Sequence, residues 1–174
     1  PSGVFLHVNS LNVTLDSITV SGGRTGVVAE KTTKGLRVTG ATTIDNAHVA
    51  GIALGGHDTV LEGFTVKNSR TAVRVERGAG GVVANKLSLI GGDDGLVTSG
   101  GTTGVVVKDL QTDGVGNDAI RNLSPGMQIT GGQIRGGNTG MDLQAGTTVS
   151  GIQIGLTSTG IRARAADPIA LDNV

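Results

Sequence analysis

Apolar positions recur along this chain with a steady cadence. A triplet of the form apolar-x-x-apolar-x-apolar opens at Leu15, Val38, Leu61, Ala84, Val107, Ile129, Val149 and Leu171, at steps of 23, 23, 23, 23, 22, 20 and 22 residues. A second column drifts with it, in which a small residue opens a short apolar stretch: Gly3, Gly26, Gly51, Ala72, Gly95, Ala119, Gly140 and Gly160. A period of this length marks stacked structural repeats. After each small residue the inward positions alternate, as in Val27 and Ala29, Ile52 and Leu54, Val73 and Val75, Leu96 and Thr98, Ile120 and Asn122, Met141 and Leu143, and Ile161 and Ala163. Period two is the signature of a strand.

The triplet supplies a second strand and a bend, as in Leu15, Ile18 and Val20, or Leu61, Phe64 and Val66. Turn clusters such as Ser21-Gly22-Gly23, Gly55-Gly56-His57-Asp58 and Gly91-Gly92-Asp93-Asp94 separate the strands, and no stretch offers a ten-residue helical period. Such short strands are too regular for a sandwich and too closely spaced for strand-helix-strand units. The pattern predicts an all-β fold, a single solenoid of seven to eight coils with about 22 residues per coil over residues 1–174, each coil about 4.8 Å above the last. A parallel sheet would bend around a narrow apolar core, forming a rod roughly 35 Å long.

Composition narrows the functional classes. The 31 glycines follow no three-residue rhythm and are interleaved with Val, Ile, Leu and Thr, which argues against collagen and disorder. With no cysteine, there is neither a disulfide nor a thiolate site. Fourteen basic and fourteen acidic side chains cancel, and no Lys/Arg cluster forms the footprint that nucleic acid requires. The apolar runs fall far short of the roughly 20 residues of a membrane-spanning helix, so no membrane insertion by this segment is expected. The chain starts without Met and within a coil, and neither end carries an atypical capping unit. It is expected to be a segment of a longer protein, with flanking domains or a partner capping the helix ends.

Segments such as "TLDSITVSGGRTGVVAE", "TVLEGFTVKNSRTAVRV" and "TVSGIQIGLTSTGIRA" resemble the generic repeat of right-handed parallel β-helix proteins, the pectin-lyase-like superfamily, and the resemblance covers essentially the whole chain. It implies a right-handed coil, a preference for acidic polysaccharide and an extracellular or cell-surface location.

Stacking turns sequence spacing into adjacency, so residues of one column should lie about 5 Å apart on successive coils. The position before the small residue reads Thr25, Ala50, Thr71, Asp94, Asp118, Thr139 and Thr159, which places Asp94 beside Asp118. Two places after the small residue, on the outward face, the column reads Val28, Ala53, Arg74, Val97, Arg121, Asp142 and Arg162. One reading joins these into a groove: Asp93, Asp94 and Asp118 as catalytic carboxylates, with Arg70, Arg74, Arg121 and Asp142 binding substrate. Clustered carboxylates drive their pKa values apart, and arginine holds a uronate carboxylate bidentately. "GGDDG" at 91–95 resembles the paired aspartates of polygalacturonases, but the family's Asn-x-Asp, Gly-His-Gly and Arg-x-Lys elements are missing from the expected places. The other reading is turn chemistry, since Asp and Asn before a tight turn accept backbone N–H bonds and Thr fills the same column elsewhere.

No metal site of recognised ligand spacing is present, although calcium on Asp93, Asp94 and Asp118 is chemically sensible. His7, His48 and His57 are scattered. Trp and Tyr are absent, Phe64 is expected to point inward and Phe5 to pack near the open end, which excludes an aromatic sugar platform. Two functions follow: a non-catalytic scaffold or binding module of a secreted or surface protein, or a lyase, hydrolase or epimerase acting on uronate-containing chains. The missing catalytic elements favour the first.

Overall fold

The computed structural model describes residues 2–165 and 167–174. Parallel strands stack as a β-solenoid of about seven turns, roughly 23 residues apart. One wall is an eight-stranded sheet whose strands follow chain order: Ser2–Leu6, Thr25–Ala29, Ala50–Leu54, Thr71–Val75, Asp94–Thr98, Asp118–Asn122, Thr139–Leu143 and Thr159–Ala163. In most coils the second wall is L-shaped, two short strands meeting at a corner, such as Thr14–Asp16 with Thr19–Ser21 and Val60–Glu62 with Thr65–Lys67. Val106–Asp113 and Met127–Arg135 run through that corner without a break.

The register confirms the cadence residue by residue. Leu15, Val38, Leu61, Ala84, Val107, Ile129, Val149 and Leu171 pair in one continuous column. Each triplet turns the corner through a residue in the left-handed region: Ser17, Gly40, Gly63, Lys86, Asp109, Gly131, Gly151 and Asn173 all have positive φ. That conformation lets a strand bend sharply with its flanking side chains still facing the core. The core is a stack of aliphatic side chains, with Val27, Ile52, Val73, Leu96, Ile120 and Met141 fully buried in the long-strand wall opposite Val38, Leu61, Ala84, Val107 and Ile129.

The small-residue column has a steric cause. A Cβ on Gly51 would crowd the Val66 side chain and come within 2.7 Å of the Ala72 carbonyl oxygen, so the chain there approaches both the opposite wall and the next coil. Alternation is also interrupted by polar residues. Within the core column, the Thr98 hydroxyl donates to Asn122 Oδ1 at 2.6 Å and Asn122 Nδ2 donates to the Thr147 hydroxyl at 2.7 Å, linking coils through a buried chain of hydrogen bonds. Such satisfied buried polar groups specify register. Among the described residues no helix is long and apolar enough to cross a membrane.

Phe64 is buried as expected, at 2 % exposure. Phe5 is not packed at the open end. It pairs with Val28 on the outward face, is 51 % exposed, and its ring meets His7 edge-on at 5.9 Å between centroids. Strand alternation forces this, because Val4 and Leu6 take the inward positions.

Candidate functional site

The stacked columns place Arg74, Arg121 and Asp142 along the outward face of the long-strand wall, Asp94 and Asp118 at the starts of its strands, and Arg70 and Asp93 in the turns just before them. Thr71 pairs with Asp94 and Asp118 with Thr139, while Leu96 pairs with Ile120, so Asp94 and Asp118 begin adjacent strands. The outward column is likewise continuous from Val28 through Ala53, Arg74, Val97, Arg121 and Asp142 to Arg162.

Arg121 closes the centre of this face. Its Nε donates to Asp118 Oδ2 at 2.8 Å and its Nη2 to Asp94 Oδ1 at 3.1 Å, one guanidinium bridging the carboxylates of two coils. The Asp118 backbone N–H also points at Asp94 Oδ1, at 3.5 Å. The Asp94 and Asp118 side chains retain only 15 % and 10 % exposure, and that of Arg121 32 %. Burial lifts the pKa of Asp94 above the ordinary carboxylate value; Arg121 and the Asp118 N–H oppose the rise, and the Asp118 and Asp93 charges add to it. For Arg121, burial disfavours the charged form, but the Asp118 hydrogen bond and the charges of Asp94, Asp118 and Asp142 outweigh it and raise its pKa.

A second cluster sits one coil on. Asp142 lies in the outward column, yet its side chain is 2 % exposed because Arg164 covers it. Arg164 Nη2 and Nε donate to it at 2.6 and 3.3 Å, and Gln144 Nε2 at 2.7 Å. Burial pushes its pKa up, but the hydrogen bonds from Arg164 and Gln144 and the charges of Arg164 and Arg162 prevail and bring it below the ordinary value. Arg164 and Gln144 were not among the sequence candidates. Their signal is positional, since they follow Asp142 by 22 and 2 residues and both extend the long-strand wall.

The remaining candidates do not join this centre. Arg74 is held by Glu76 at 2.8 Å and is separated from Arg121 by Val97. Arg70 lies 3.6 Å from Asp93, at a turn where both line a depression with Asn46, His48 and Asn68. The single groove expected from the sequence is therefore four ion-paired groups: Arg70 with Asp93, Arg74 with Glu76, Arg121 with Asp94 and Asp118, and Asp142 with Arg164. Among the described residues no group of three His, Cys, Asp or Glu side chains is arranged to hold a metal ion.

Comparison with protein-family models, with curated proteins and with solved structures finds no match in any of the three. What stands is the architecture, a parallel β-solenoid with an ion-paired outward face.

Proposed function

We propose that the chain is a non-catalytic scaffold or binding module of a secreted or cell-surface protein, a stiff right-handed rod of the pectin-lyase-like kind that contacts acidic polysaccharide. One observation carries this reading: Arg121 binds Asp94 and Asp118 together. A general acid and base need a proton to exchange with substrate, and here both carboxylates are spent on one guanidinium. The candidate arginines are likewise engaged by neighbouring acids, so contact with a uronate chain exchanges one carboxylate partner for another. That supports weak, reversible binding, with gains offset by the ion pairs given up.

The raised pKa of Asp94, beside a second carboxylate, supports a second reading as a polysaccharide-processing enzyme. Incubation of the protein with polygalacturonate and alginate, with and without calcium, separates the two. The scaffold reading expects retardation in affinity electrophoresis without release of unsaturated or reducing ends. Turnover that disappears in an Asp94→Ala variant would overturn it in favour of the enzyme.

A further inference from the structure

The tripeptide Asn-x-Ser/Thr, with x other than Pro, is the acceptor sequence for N-linked oligosaccharide, and where it is used it lies in a surface turn. It occurs twice in this chain, as Asn12-Val13-Thr14 and as Asn122-Leu123-Ser124. The structure separates the two. Asn122 is fully buried, its Oδ1 accepting from the Thr98 hydroxyl at 2.6 Å and from the Ser124 N–H at 3.1 Å, and its Nδ2 donating to the Thr147 hydroxyl at 2.7 Å. Both ends of that amide are committed to the core, where a sugar on Nδ2 has no room.

Asn12 is the opposite case. It stands at the corner that leads into the strand Thr14–Asp16, and both Asn12 and Thr14 are exposed. The corner is left-handed, with φ 52° at Asn12 and φ 72° at Gly35 on the next coil, a conformation that asparagine tolerates. The Asn12 N–H donates to the Lys34 carbonyl at 2.8 Å, which fixes the backbone. Gly35 leaves room for the side chain, since a Cβ there would sit 2.5 Å from Asn12 Oδ1. The residue before it is also out of keeping with its column. Leu11 stands in line with Lys34, His57, Gly80 and Thr103, yet presents an apolar side chain at 63 % exposure. The apolar face of a sugar attached one residue further on would shield Leu11 from water.

We propose that Asn12 carries an N-linked oligosaccharide, transferred from a lipid-pyrophosphate donor as the chain enters the secretory pathway. The Asn12 amide nitrogen forms a bond to the anomeric carbon of the first sugar, and the bond from that carbon to the pyrophosphate oxygen breaks. The lipid pyrophosphate leaves with the bonding electron pair, the amide releases one proton, and nothing is oxidised or reduced. This modification rests on the secreted or cell-surface reading and is independent of the Arg121 cluster.

The test is expression of the whole chain behind a secretory leader in a eukaryotic cell, with peptide mapping by mass spectrometry before and after an amidase that removes the glycan and leaves aspartate at the modified position. Occupancy is expected at Asn12 and not at Asn122. Thr14→Val, which keeps a strand-forming side chain and removes the hydroxyl, should abolish it, while Thr14→Ser should retain it. If Thr14→Val does not fold, Asn12→Gly, matched to the left-handed corner, replaces it and should yield a chain without glycan. An unmodified Asn12 in the wild type, modification at Asn122 instead, or a glycan that persists in these variants would overturn the proposal. The leader is supplied by the experiment, so such results leave the secreted reading standing. That reading fails separately, if fractionation of the source cells finds the protein confined to the cytosol.

Discussion

Replacing Arg121 by Met tests whether the central cluster holds the solenoid together. Methionine keeps the aliphatic stem and removes the guanidinium, leaving Asp94 and Asp118 mostly buried, adjacent and unopposed. Removing one partner from a buried pair costs about 3–5 kcal/mol. Arg121 retains 32 % exposure, so water replaces part of what is lost. A loss of about 2–4 kcal/mol at neutral pH is the resulting expectation, which for a domain of this size lowers Tm by roughly 4–15 °C. The pH dependence is the sharper readout. Arg121 opposes the burial-driven rise of the Asp94 pKa, so without it the folded state favours protonated Asp94 more strongly, and the deficit should be largest at neutral pH and shrink as acid neutralises that carboxylate. Urea unfolding at several pH values measures it. A deficit below about 0.5 kcal/mol at neutral pH, or one that stays constant on acidification, would refute the view that this guanidinium clamps two coils.

Other outcomes follow from the same geometry. The two buried acids should behave oppositely. Asp94 binds its proton more tightly folded than unfolded, so its ionisation lowers stability as pH rises above the ordinary carboxylate range; Asp94→Asn should be stable to within about 1 kcal/mol of wild type or better at neutral pH, the difference fading in acid. Asp142 has the lowered pKa, so its contribution is present above the ordinary carboxylate value and lost as pH falls through the folded one. Asp142→Asn should cost about 1–3 kcal/mol at neutral pH, with the gap closing in acid, as pH-dependent denaturation will show. In the small-residue column, Gly51→Ala must push aside Val66 and the Ala72 carbonyl and should cost about 1–3 kcal/mol, whereas nothing stands within 4 Å of a Cβ on Gly160, so Gly160→Ala should be neutral or slightly stabilising in the same unfolding assay. At the corner before the last coil Leu156 has φ +57° and is 82 % exposed, so Leu156→Gly should gain about 1 kcal/mol by releasing backbone strain without loss of core, measured as a rise in the unfolding midpoint.

The fold was legible because a solenoid writes its geometry in one dimension. Each coil must bury the same faces, so the triplet, the alternation and the small-residue column repeat in sequence and locate strands, corner and core together. The left-handed corner itself was only half visible. Gly40, Gly63, Gly131 and Gly151 announce it, but Lys86 occupies the same position with φ 52°, a residue whose propensity gives no hint of that conformation. Once the coil imposes the bend, whatever side chain stands there must adopt it.

The site was legible in its addresses and not in its contacts. Coil arithmetic put Asp94 beside Asp118, as the structure does, but period-two alternation assigns residues 118 and 121 to opposite faces. The conflict is resolved at the start of the strand. Ala119 and Ile120 are consecutive and both fully buried, because the small residue turns inward where the chain leaves its corner. Alternation therefore slips by one at that point, and Asp118 is delivered to the same side as Arg121. The arginines that looked available for a ligand were consumed by acids from their own or neighbouring coils, a consequence of stacking charged columns about 4.8 Å apart with opposite signs in reach. An outward charge on a solenoid wall has neighbours above and below before it has a ligand. Its availability depends on whether those neighbours can neutralise it: Asp142 is covered by Arg164 and Gln144, whereas Glu30 meets His7 only at 3.9 Å, on a carboxylate oxygen with no hydrogen-bond partner among the described residues.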